Sequence, residues 1–140
     1  MAESALSAAY KAIRRRLTES SELWGVKVHP DLAPANVGRP YVVFFWSGGG
    51  ELNARRIQDA ELLLTVKCVA NTLDEAFRGA GRVSALLNDA DLADDLLEPG
   101  DEWVILHTNQ ERAIHLVENI DGIQIYHSGS VFRFRMERIT

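Results

Sequence analysis

Apolar residues recur in the first segment at helical spacing. Leu6, Tyr10, Ile13 and Leu17 are separated by four, three and four positions, with Ala9 beside them. That stripe predicts an amphipathic helix over Ala5 to Glu22, closing in the polar run from Thr18. Trp24-Gly25 follows, and the alternation Val26-Lys27-Val28 starts a strand. From His29 to Pro40 the chain carries Pro30, Pro34, Gly38 and Pro40, which exclude a helix or a central strand. The stretch reads as a loop held to the body by Leu32 and Val37. Tyr41 to Trp46 are consecutive β-branched or aromatic residues, a strand with no polar face. Such a strand needs a further covering layer or a partner chain.

Ser47-Gly48-Gly49-Gly50 reads as a break in that strand, followed by a polar arm to Asp59 with Arg55-Arg56 at its middle. An arm of about 13 residues is long for a hairpin connection. Glu61 to Val69 resumes as a strand, with Leu62, Leu64, Val66 and Cys68 on one side. Thr72 and Glu75 form a capping box for a second helix with an apolar stripe of Ala76, Phe77, Ala80, Val83, Leu86 and Leu87. Gly79 and Gly81 weaken that helix by about 1 kcal/mol each relative to alanine, unless glycine is needed for close helix–sheet approach. Four strands follow: Trp103 to His107, Ala113 to Asn119, Ile123 to His127 and Val131 to Arg138, with turns at Asp121-Gly122 and Ser128-Gly129. The expected fold is α+β: an antiparallel or mixed sheet with two main helices packed on one face and an extended loop or hairpin arm, in a single domain over residues 1–140.

Composition narrows the class without naming a function. With 140 residues, 46% hydrophobic and 25% charged, the chain is an ordinary globular domain able to bury roughly two thirds of its unfolded surface. It has no apolar run near the ~20 residues a membrane span requires. The basic cluster Arg14-Arg15-Arg16 follows the apolar positions of the first segment, the reverse of a secretory signal. The single Cys68 excludes an internal disulfide and reads as a small buried hydrophobe. A net charge of −5 argues against sequence-blind nucleic-acid binding.

Enzyme-like features are few. Asp89 to Glu102 is acidic but lacks the calcium-loop spacing, so it reads as a solvated loop. His29, His107, His115 and His127 fall in no zinc signature, although His107 and His115 could meet across a hairpin. The glycine run lacks the Gly-Lys-Ser/Thr of a phosphate loop, and no G-x-S-x-G elbow occurs. No catalytic residue, metal or cofactor is expected. The arginines Arg133 and Arg135, repeated on one face of the last strand, are placed to meet acids on a neighbouring strand or chain.

The order of elements resembles a known family. The residues that carry the resemblance are VHPDLAP at Val28 to Pro34, PYVVF at Pro40 to Phe44, a strand entering TLDEA at Thr72 to Ala76, and the aromatic–arginine alternation VFRFRMERI at Val131 to Ile139. Together they are similar to the tail terminator, or tail completion, proteins of long-tailed phages, prophages and gene-transfer particles, across about Ala5 to Ile139. The stretch from Asp89 to Asn109 is longer and more acidic than the family pattern. The resemblance implies a non-enzymatic virion protein: a ring, usually hexameric, on the head-proximal end of the tail tube. Such a ring stops tube growth and offers the head–tail joining surface. The implied partners are further copies, the tail tube protein and the head–tail connector or stopper protein, with DNA passing through the lumen unread. The implied location is the virion tail, assembled in the host bacterial cytoplasm. A neighbouring reading is another connector protein of the virion neck, a stopper or adaptor. The residues expected to contact subunit or tube are Gly48, Gly49, Gly50, Arg55, Arg56, Arg133 and Arg135. The acidic stretch and the arginine groups would serve as complementary patches between copies.

Overall fold

The computed structural model describes residues 4–18, 26–34, 38–52, 59–88 and 102–139. Their elements run α1 (Ala5–Thr18), β1 (Lys27–Pro30), β2 (Tyr41–Leu52), β3 (Asp59–Ala70), α2 (Leu73–Leu87), β4 (Trp103–Ile120) and β5 (Ile123–Arg138). The strands form one sheet in the order β1-β2-β3-β5-β4, with β1 parallel to β2 and every other pair antiparallel. This is the expected α+β fold with a mixed sheet. Trp24-Gly25, Val37, Arg55-Arg56 and the acids from Asp89 to Asp101 lie outside the described residues.

Both helices cover the same sheet face. The strands present Val42 and Phe44, then Leu62, Leu64, Val66 and Cys68, then Phe132, Phe134 and Met136, with Trp103 and Ile105 at the edge. Strand alternation puts these residues on one side. Onto them α1 sets Ala5, Ala9, Ala12, Ile13 and Leu17, and α2 sets Ala76, Val83, Leu86 and Leu87. Each large side chain so buried contributes about 1.5–3 kcal/mol. The helices are tied to each other where Arg16 Nε donates to the Leu86 carbonyl at 3.2 Å.

The first helix faces the core through alanines more than the spacing of large residues suggested. Leu6 and Tyr10 are only half-buried, while Ala5 and Ala12 are buried. Small side chains let α1 lie close to the sheet. Tyr10 instead stands edge-on to Phe44, ring centroids 5.1 Å apart. Its hydroxyl donates to Asp31 Oδ1 at 2.6 Å and accepts from the Trp46 amide at 3.0 Å. Burial, with Asp31 next, raises the Tyr10 pKa above the ordinary phenol value. This polar clamp and the Asp31 amide bonded to the Phe44 carbonyl hold the proline-rich loop, while Leu32 is 84% exposed and holds nothing.

The glycine run does not break β2, which continues to Leu52 opposite β3. A bulge at Ser47 absorbs the irregularity, and Gly49 adopts φ +78°, with room for no Cβ because Glu61 O would lie 2.0 Å away. The expected arm is therefore mostly a paired β2–β3 hairpin, with residues 53–58 between its strands outside the description. The last four expected strands are two long ones. Asp121-Gly122 does turn, with φ of 53° and 82°, but Ser128-Gly129 runs straight through the middle of β5. Gly129 is required there for strand approach: a Cβ would meet Val66 O at 2.1 Å and Lys67 Cα at 2.5 Å.

The N-cap half of the expected capping box is present, with Thr72 Oγ1 accepting from the Glu75 amide at 3.2 Å, while Glu75 Oε1 meets the Thr72 hydroxyl at 3.3 Å. Phe77 leaves the expected stripe: it is 51% exposed and tilts against His115 at 5.5 Å. The two helical glycines have opposite roles. A Cβ on Gly79 would sit 2.3 Å from Cys68 Sγ and 2.6 Å from Cys68 Cβ, whereas one on Gly81 meets nothing within 4 Å. Gly81→Ala should raise stability by up to about 1 kcal/mol through helix propensity. Gly79→Ala should lower it by about 1–3 kcal/mol through overpacking. Urea unfolding of the two variants checks the opposite signs.

Candidate assembly surface

The second sheet face has no helix over it among the described residues, and its side chains must order one another. A small apolar cluster of Tyr41, Val43, Val69 and Ile125 lies toward one end. Lys67 stands 5.7 Å from the centre of the Phe45 ring, and desolvation lowers its pKa below the ordinary lysine value. His127 is 8% exposed and its Nε2 lies against Glu118 Oε1. Burial, and then Lys67, keep its pKa below the ordinary imidazole value against the pull of Glu118.

Toward the other end Arg133 bridges three strands. Its Nη1 donates to Glu61 Oε1 on β3 at 2.6 Å, and its Nε donates to Glu111 Oε1 on β4. The Glu111 bond, then the Glu61 bond, raise the guanidinium pKa, and the Arg133 bond holds the Glu111 carboxyl below its usual range. Arg135 lies 3.9 Å from Asp59, and Arg138 bonds Glu102 at 2.9 Å with its guanidinium 4.7 Å from the Trp103 ring centre. Arg133 and Arg135 thus meet acids on neighbouring strands of their own chain.

Of the residues singled out from sequence, the structure brings five to one end of the sheet. Gly48, Gly49 and Gly50 pair with Leu63, Leu62 and Glu61, and the next strand carries Arg133 and Arg135 opposite Leu63 and Glu61. Beside them a cleft of about 280 Å³ is lined by Ser47, Leu63, Glu111, Arg112, Val131 and Arg133. Arg55 and Arg56 lie outside the described residues. His107 and His115 do not meet: both lie on β4, opposite Arg135 and Ser128 respectively, and so on opposite faces.

A second surface went unread in the sequence. The β4–β5 hairpin passes beyond β3, whose last residue Ala70 pairs with Tyr126. Around its end Leu116, Val117, Ile120 and Ile123 are 45–56% exposed, with Phe77 of α2 nearby over His115. A cluster of half-exposed large apolar side chains is unusual on a solitary domain. The available signal was a run, Ala113 to Ile120, with apolar residues on both alternating faces.

The comparisons bear on this architecture. No protein-family model matches the sequence, and no curated protein matches it. The fold matches a chain of the virion of a native gene transfer agent (GTA) particle. The TM-score is 0.75 at 17% identity, covering 97% of this chain and 99% of that one. At that identity the likeness establishes the fold, and it extends over the whole length of both chains.

Arg133 supports a pH prediction. Glu111 has a lowered native pKa, so the native state binds fewer protons than the unfolded chain near pH 4.5. Its stabilisation is present above that pH and is lost as pH falls through the native value. In Arg133→Met, Glu61 and Glu111 are left together without their cation, and like charges favour protonation. The stability gap between wild type and variant should therefore be widest near pH 7 and shrink as pH falls below 4.5. Thermal melts from pH 7.5 down to about 2.5, through the lowered carboxylate range, test this; a pH-independent gap would assign Arg133 a packing role only.

Proposed function

We propose that this chain is a structural virion subunit that caps the head-proximal end of a tail tube as an oligomeric ring, stopping tube growth and presenting the head-joining surface. The whole-length likeness in fold to a chain of a gene transfer agent virion carries the reading. The tail-terminator resemblance of the sequence motifs selects the capping role within it. Its partners are further copies of the chain, six in a closed ring, the tail tube protein and the head–tail connector or stopper, with DNA passing through the lumen without specific recognition. The place of action is the virion tail, after assembly in a bacterial cytoplasm.

The surfaces described suit such a subunit. A closed ring of identical chains needs two unlike patches on each. One end of the sheet carries the β2–β3 hairpin with its glycines and the Arg133 network, and the other carries the apolar end of the β4–β5 hairpin. Gly48, Gly49, Gly50, Arg55, Arg56, Arg133 and Arg135 contribute the first patch, which meets the tube or a neighbouring copy. Arg133 acts by fixing the shape and charge of that patch, since its donors are engaged by Glu61 and Glu111.

Deleting residues 53–56, between the paired ends Leu52 of β2 and Asp59 of β3, should leave a folded monomer that no longer forms rings or caps purified tail tubes. Native mass spectrometry and tube-length measurement by electron microscopy check both. Wild type should give a mass near six times 15.6 kDa, alone or on tube ends. Tubes of unregulated length in the presence of the wild-type chain would sink the capping role, and binding only to the head connector would favour a stopper or adaptor.

A further inference from the structure

The two edges of the sheet are unlike, and they match each other. β4 forms one edge along all of its 18 residues, and β1 forms the other along four. An open edge offers unpaired N–H and C=O groups to any extended chain. The first half of β4 is blunted by bulges between Ile105 and His107 and between Gln110 and Arg112. From Arg112 to Ile120 the register is unbroken, and this half carries the exposed Leu116, Val117 and Ile120. The fold blunts one half of its long edge and leaves the other regular.

The regular half lies level with β1. Following the register across the sheet, Lys27 lines up through Tyr41, Val69 and His127 with Leu116. Pro30 lines up through Phe44, Val66 and Ser130 with Ala113. β1 runs with β2 and β5, whereas β4 runs against them, so the β4 edge of one copy set beside the β1 edge of the next is antiparallel. The charges are complementary along the same line. The exposed Lys27 meets the level of Leu116, diagonal to Glu118 on the same open face. Cross-strand pairs of opposite charge favour that register.

We propose that the Ala113–Leu116 edge of β4 in one copy pairs antiparallel with the Lys27–Pro30 edge of β1 in a second copy, continuing the sheet from subunit to subunit. The occupant of this stretch of the β4 edge, which includes the exposed Leu116, is thus another copy of this chain. This inference rests on the ring reading and specifies the joint within it.

Cysteine cross-linking tests the joint. The double variant Lys27→Cys with Leu116→Cys alters two exposed positions that lie four strand spacings apart within a chain, about 19 Å, too far for an internal disulfide. The native Cys68 is buried and its thiol pKa is pushed up to about 11, so it stays out of the reaction. Mild oxidation, in concentrated solution and on tail tubes, should give a reducible ladder beyond the dimer on a denaturing gel, while neither single variant does. Replacing Leu116→Cys by Ile114→Cys or Glu118→Cys reads neighbouring registers and guards against a misfolded first choice. Copies that associate by native mass or sit together on tube ends, yet give no disulfide from Lys27→Cys with any of the three, overturn the joint and leave the ring. Copies that never associate in either setting overturn both.

Discussion

Two helices can cover only one face of a five-stranded sheet, and that constraint shapes the rest of this molecule. On the covered face Phe44, Leu62, Leu64, Phe132 and Phe134 are almost wholly removed from water beneath α1 and α2. This face supplies the hydrophobic stabilisation and requires the close approaches at Gly79 and Gly129. The other face receives no such layer among the described residues, so its order comes from side chains bracing one another: the Arg133 bridge across β3, β5 and β4, the Lys67–Phe45 contact, and His127 against Glu118. Exposed ion pairs contribute little stability individually. Their value here is geometric, since they hold an uncovered face in one shape that another surface can meet.

The covered half of the fold was the legible half. Helix start, sheet content, the Thr72 cap and the use of Gly79 for close packing all follow from local rules, because each depends on neighbours a few residues away or on alternation toward a single core. The errors share a cause. Ser47 to Gly50 and Ser128-Gly129 carry turn chemistry, yet both continue strands, because long-range pairing with β3 supplies their hydrogen bonds and leaves no room for side chains at Gly49 and Gly129. Leu6, Tyr10 and Phe77 have core-like spacing but lie at the margin of the covered area. Periodicity identifies which side of an element is apolar; it does not say how far the covering layer extends. The candidate site was legible only in part for the same reason. Gly48 to Gly50, Arg133 and Arg135 converge, but Glu61 and Glu111 as the partners of Arg133 come from strands whose register the sequence does not encode locally.

Beyond its faces, a sheet has edges, and among the described residues no element pairs with the outer side of β1 or β4. Solitary domains blunt such edges with bulges, prolines, charges or short strands. This chain uses those devices selectively. The β1 edge is only four residues long and ends at Pro30, and the early part of β4 is bulged twice, while Arg112 to Ile120 is left regular and exposes Leu116, Val117 and Ile120. In the proposed joint the regular stretch of β4 is the half of that edge that pairs, and the shortness of β1 limits how far the pairing runs.

A joint limited to the length of β1 is weak by design. Four residues offer few ladder bonds, and each net backbone bond stabilises by only about 1 kcal/mol. Against the several kcal/mol of freedom lost when two proteins associate, a single such contact leaves free subunits mostly apart. Closing a ring changes the balance, because the last joint forms within an assembled body and incurs no further loss of that kind. A template that holds copies side by side has the same effect. On the proposed reading, a tube end is that template. On the same reading, weak edges that pair only when gathered would keep the subunits from polymerising in solution and would let the ring form where the tube presents its end.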